Sequence, residues 1–171
     1  SPYSSSKAAA EKIVQCYHIS FGLETVSLRY FNIYGPRRDF TAPNVEVIPR
    51  FIALMASGRQ PTIYGDGTQS RDFVHVDDVV TANILAATSK TAIGNTYNIA
   101  SGVSYTVLDI INEINSFLGT NLEPLIMPIR KGDALHTAAD ISRARRDLGY
   151  SPAVTLRTGL ERTARELAGR R

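Results

Sequence analysis

Two hydrophobic periods alternate along the whole chain, and that alternation limits what it can fold into. Val107, Ile110, Ile111, Ile114, Phe117 and Leu118 recur at helical spacing and stop at Gly119. Short runs rich in β-branched and aromatic residues, TVSLRYF, TIY, FVHV and TYNIA, lie between segments of this kind. Strand and helix in turn, without internal repeat or low-complexity run, define an α/β chain. The first helix starts with Ser1 as cap and Pro2 in its first turn, and Gly22 ends it. Its segment IVQCYHISF is apolar nearly all round, which predicts packing on two faces and a buried Cys16 thiol. TVSLRYF reads as a buried strand ending at Asn32, followed by a loop at Pro36. Further helices are expected from about Val47 to Ser57, Asp77 to Ser89, Ser142 to Leu148 and Leu156 to Leu167. LEPLIMP reads as a strand weakened by its prolines.

Composition excludes several function classes. No apolar run approaches the roughly 18 residues that a membrane span needs, and no signal-peptide pattern leads the chain, so a cytoplasmic protein is expected. A single cysteine excludes an internal disulfide and any multi-cysteine metal site. The net charge of +3 is local: eight arginines follow residue 142, while the preceding 142 residues are slightly acidic. Those arginines are spaced through helical patterns with acids between them, which suits a solvated helix face better than a nucleic-acid site. Asp77 and Asp78 read as helix caps and His75 as a structural histidine, since nothing near them has metal-ligand spacing.

Tyr3 and Lys7 stand four residues apart on the proposed first helix and therefore share a face. An ammonium beside a phenol favours the phenolate, and such a pair can take a proton from an alcohol. By spacing alone, the same pair is also a tyrosine packed on a helix beside a solvated lysine. Downstream follow LRYFNIYGPR, VIPRF, IYGDGTQSRDFVHVDD, YNIASG, IRKGD and ADISRARRDLGYSP. With SPYSSSK, this ordered series resembles the carboxyl-terminal half of the extended short-chain dehydrogenase/reductases, specifically their NAD-dependent nucleotide-sugar epimerases and dehydratases.

The resemblance implies a Rossmann-type NAD-binding fold with a small α/β substrate-binding domain. Residues of about 1–35 and 73–100 would contribute to the first, and about 36–72 and 101–171 mostly to the second. The glycine-rich dinucleotide loop is expected to be missing, because the lone G-x-G at Gly65 and Gly67 lacks both the third glycine and a following helix. The resemblance further implies that Tyr3 is the catalytic base and that Lys7 supports it while bonding the nicotinamide ribose. Phe31 would meet the nicotinamide, with core packing as an equally open role. Asn32, Arg71 and Arg130 would hold the diphosphate, Asp133 the nucleoside ribose, and Val47 and Tyr64 the base; for Tyr64 a buried strand aromatic is the open alternative. Thr137 falls beside the sugar, where a small side chain leaves room for an N-acetyl group.

The implied activity is a UDP-sugar 4-epimerase working through a 4-keto sugar, homodimeric as the full-length parent. Dehydration or decarboxylation after the same oxidation, and a non-catalytic sugar-nucleotide-binding or dimerising remnant, are the alternatives. Without the strands that would precede it, TVSLRYF would leave an edge and apolar faces uncovered, so the isolated chain is expected to be inactive and poorly soluble.

Overall fold

A computed structural model describes residues 1–37, 46–129 and 135–169. The helices are α1 (Pro2–Phe21), α2 (Val47–Met55), α3 (Val76–Thr88), α4 (Val107–Leu118), α5 (Ser142–Leu148) and α6 (Leu156–Gly169). The strands are β1 (Ser27–Tyr30), β2 (Asn32–Tyr34), β3 (Thr62–Tyr64), β4 (Ser70–His75), β5 (Thr96–Ile99), β6 (Ser104–Thr106) and β7 (Leu125–Met127). β1 pairs with β5 and β3 with β7, both parallel, while β4 lies between parallel β2 and antiparallel β6.

The buried side chains form two cores. On α2, Ile48, Phe51, Ile52 and Met55 make one helical stripe, and on α4 Val107, Ile110, Ile111 and Ile114 make another. These stripes pack with Tyr34, Ile63, Phe73, Leu156 and Leu160. α4 begins with a full capping box, in which Thr106 Oγ accepts from the Asp109 amide and the Asp109 carboxylate accepts from the Thr106 amide. α6 can cross Tyr34 only because residue 159 is glycine, since a Cβ there would collide with the tyrosine hydroxyl. The second core gathers Val74, Val79, Ala82, Ala86, Tyr97, Ile99, Ala144, Leu148 and Tyr150.

Strand β4 joins the two. Successive side chains of a strand point to opposite faces, so Phe73 enters the first core and Val74 the second. Asp72 is fully buried, and its carboxylate accepts from the Ser101 amide (2.8 Å), the Ser101 hydroxyl (2.7 Å) and the Gly102 amide (2.9 Å). The turn after β5 is thereby tied to β4.

Several expectations are corrected. α1 buries none of its residues, and Cys16 is exposed: an all-apolar helix requires a cover, and no other described element supplies one. Ile19 and Phe21 are 79% and 77% exposed. TVSLRYF is not one buried strand. Within it only β1 is a strand, with Arg29 and Tyr30 exposed; Phe31 interrupts the pairing, and β2 follows from Asn32 in a different sheet. The cap of α3 is His75, whose Nδ1 accepts from the Asp77 amide, and not an aspartate. Asp77 sits in the first turn, pairing with Arg162 at 3.1 Å, where a negative charge suits the helix dipole. Asp78 is buried and accepts from the Ala153 and Val154 amides, which anchors the approach to α6. His75 is structural, as expected.

Asp72→Ala would remove the acceptor of two part-buried amides and is expected to lower the unfolding free energy by about 2 kcal/mol in urea titrations. A second expectation concerns pH. Desolvation pushes the His75 imidazole below its ordinary value of 6.5, and as the cap its Nδ1 must be unprotonated. The unfolded chain therefore binds this proton more tightly than the fold does. Stability should be complete above about pH 6.5 and decline as pH falls through it. His75→Asn, which can cap α3 without titrating, should flatten that decline between pH 7.5 and 5.5.

Candidate active site

A cleft of about 1430 Å³ opens where β1 ends and the chain crosses to β2. Open α/β sheets take ligands at the carboxyl ends of their strands, and the cleft, which runs along the whole of β1, includes that end at Tyr30–Asn32. Its lining comes from separate elements: Tyr3 and Lys7 from α1, Phe31 and Asn32 from the β1–β2 crossing, Val47 from α2, Tyr64 from β3 and Arg71 from β4. Every described candidate except Thr137 is in this one cleft. Arg130 and Asp133 lie outside the described residues.

Tyr3 is held at the start of α1 by the local cap, in which Ser1 Oγ accepts from the Ser4 amide. The ring is 71% exposed, and the Lys7 ammonium stands 5.4 Å from its centroid. Tyr34 and Tyr150, in contrast, are buried, and desolvation pushes both phenols far above the ordinary value. They serve the cores, so acid–base work by a tyrosine falls to an accessible one. Phe31 packs partly against the second core and also lines the cleft.

Asn32 donates its amide to the Asp72 carbonyl at 2.8 Å, which orients the side chain on β2 next to β4. Arg71 and Phe73 take the cleft side of β4, while Asp72 takes the other. Arg71 Nη1 donates to the Ser70 carbonyl at 2.8 Å and the Leu135 carbonyl at 3.2 Å, so its guanidinium is set in place by the segment bridged to Ser70. Tyr64 is half-buried, with Gln69 donating to its carbonyl. Thr137 bonds Ser70 through its amide and has a buried hydroxyl without a described partner, and it is not part of the cleft wall.

Gly65 and Gly67 occupy a turn between β3 and β4 with φ of +85° and +81°. A turn between two strands presents no helix amino terminus to a pyrophosphate, so this is not a dinucleotide loop. The accessible Tyr3 phenol, the Lys7 ammonium and the Phe31 ring share the cleft, a set that fits the nicotinamide-ribose end of NAD, and among the described residues no glycine-rich turn leads into a helix to take its pyrophosphate.

Sequence reasoning missed the contact that seats α1. Arg29 of β1 donates from Nε and Nη2 to the two Glu11 carboxylate oxygens, each at 2.6 Å. This two-point bond holds the Glu11 carboxyl below the usual carboxylate range. Its partners are 18 residues apart in different elements, so no periodicity announces it. His18, stacked against Gly94, and a long Thr25 hydroxyl contact to the Val14 carbonyl complete the seat.

Residues 1–100 match the NAD dependent epimerase/dehydratase family, and the chain belongs to that family. It is 37% identical over 164 residues to a putative UDP-glucose 4-epimerase of Methanocaldococcus jannaschii, covering 95% of this chain and 52% of the relative. A dTDP-glucose 4,6-dehydratase of Streptomyces griseus is 36% identical, with 95% and 48% covered. The crystal structure of the Thermotoga maritima UDP-glucose 4-epimerase with UDP-glucose superposes with a TM-score of 0.94 at 35% identity, over 99% of this chain and 54% of that one. The fold is thus the Rossmann-type epimerase α/β fold, and the chain spans about half the length of the relatives it matches. Among the described residues no helix is long and apolar enough to cross a membrane.

Arg29→Ala should release α1. Amide exchange over residues 1–14 is expected to accelerate while the global unfolding free energy changes by about 1 kcal/mol or less, since the pair is partly exposed. Exchange measured by mass spectrometry checks both.

Proposed function

We propose that this chain carries the base-bearing and nucleotide-holding half of an NAD-dependent UDP-sugar 4-epimerase. One observation carries the reading: residues scattered from position 3 to position 71 converge on a single cleft, with a phenol–ammonium pair and a phosphate-type guanidinium in its lining. In this reading Tyr3, as phenolate, takes the proton of the sugar 4-hydroxyl, and the Lys7 ammonium beside it stabilises the anion. Tyr3, Lys7 and Phe31 would hold the nicotinamide-ribose end of NAD⁺, which would supply the hydride acceptor for that carbon and the donor for its return. Arg71 and Asn32, with Arg130 and Asp133 completing the set, hold the diphosphate and ribose while the 4-keto sugar turns over. Tyr3 then gives its proton back to the oxygen, and the product is the C4 epimer. Val47 and Tyr64 enclose the base, and Thr137 leaves room for an N-acetyl group near the sugar.

The two cores support a division into a Rossmann-type part, about 1–35 and 73–100, and a nucleotide-sugar part, about 36–72 and 101–171, with α5 packed on the former. The exposed apolar face of α1 supports burial of this helix in a homodimer. In this reading the 171 residues by themselves bind nucleotide without turning it over, because their sequence carries no G-x-G-x-x-G motif for the NAD pyrophosphate. The near-equal identity to the Streptomyces griseus dehydratase favours a second reading, in which the same oxidation leads to loss of water.

Titration of the chain with UDP tests the proposal. Saturable binding is expected, weakened about tenfold by Arg71→Ala, and no binding by the unsubstituted chain would overturn it. In a polypeptide that also carries a dinucleotide loop, UDP-glucose or UDP-N-acetylglucosamine should yield the C4 epimer. Tyr3→Phe there should lower kcat by about 10²–10⁴ at unchanged UDP affinity. A 4-keto-6-deoxy product would select the dehydratase instead.

A further inference from the structure

The wall made by α2 and β3 holds a cation that the epimerase reading leaves unused. Arg50 follows Val47 by three residues on α2, so the two project from one helix face. Thr62 and Tyr64 alternate with buried Ile63 and so share one side of β3. All four line the cleft. Arg50 Nη2 reaches the Thr62 carbonyl only at 3.4 Å, the long end of hydrogen bonding, and its Nε is buried with no partner among the described residues. A guanidinium N–H removed from water and left unpaired carries a desolvation cost that an acceptor on a ligand would recover. Of the other guanidiniums of the cleft, Arg29 is taken up by Glu11, and Arg71 gives Nη1 to two carbonyls and keeps its remaining donors for a ligand anion.

We propose that Arg50 holds the nucleoside end of the ligand, donating to a keto oxygen of a pyrimidine base that lies against the Tyr64 ring. This rests on the reading of the cleft as a UDP-sugar site. The base is favoured over the phosphates by the apolar character of this wall: the Phe51 ring centroid is 5.9 Å from Arg50 Cζ, and Val47 and Tyr64 line the same cleft from α2 and β3. Flat apolar neighbours with one directed donor suit a heterocycle with a carbonyl edge. A dianion is better served by Arg71 and Asn32 on β4 and β2.

The test titrates the full 171-residue chain, unsubstituted and as Arg50→Met and Arg50→Lys, with UDP, UMP and inorganic pyrophosphate. Arg50→Met is expected to weaken UDP and UMP by the same factor, about tenfold, and to leave pyrophosphate binding unchanged. Arg50→Lys, which keeps the charge but not the planar donors, should recover only part of the loss at an unchanged melting midpoint. The lysine variant alone decides the matter if the methionine variant does not fold. UDP affinity unaltered in the variants overturns the assignment while leaving the nucleotide reading intact. Equal weakening of pyrophosphate and UMP also overturns it, since it marks a phosphate contact or a general disturbance of the cleft. An unsubstituted chain that binds pyrophosphate but not UMP overturns the base contact. Failure to bind any of the three overturns the nucleotide reading and this inference with it.

Discussion

The fold depends on β4 being asked to satisfy both of its faces and both of its edges. Its amino-terminal half pairs antiparallel with β6 and its carboxyl-terminal half pairs parallel with β2, so one six-residue strand changes partners midway. Phe73 and Val74 commit adjacent residues to different cores. Asp72 adds a buried carboxylate, which is tolerable only because Ser101 and Gly102 supply donors to it. The Asp72 carbonyl meanwhile orients Asn32, and the preceding residue is Arg71. The strand that joins the cores therefore also sets the polar wall of the cleft, and the precision of that wall comes from core packing rather than from a loop.

Much of this was legible in the chain because it is locally encoded. The α4 stripe, its Thr106–Asp109 box and its Gly119 stop lie within fourteen consecutive residues, and propensity, pattern and capping agree there. The cleft residues were legible for another reason: seven motifs in a family's order specify positions that geometry alone leaves ambiguous, and the structure gathers the described ones. What stayed hidden depends on partners remote in sequence. Asp78 looks like a first-turn acid until the chain returns 75 residues later to present the Ala153 amide. β6 is three mostly polar residues that become a strand only because β4 lies beside them. Arg50 and the Glu11–Arg29 pair were invisible for the same reason.

The misreading of α1 has a different cause. An apolar surface states that cover is needed and does not state where the cover comes from. Burial was inferred for Cys16 from composition, yet the helix contributes no side chain to either core. Along α1 the large apolar side chains Ile13, Tyr17, Ile19 and Phe21 are all more than half exposed.

The seating of α1 also bears on how the cleft could work. Arg71 belongs to a strand locked into both cores, whereas Tyr3 rides on a helix fastened mainly by one bidentate ion pair. The two sides of the cleft are thus held differently, one by a strand packed in both cores and the other by a partly exposed ion pair. Any molecule that touches both would act as a strut across the opening, and the entropy lost in steadying the helix would be charged against its affinity.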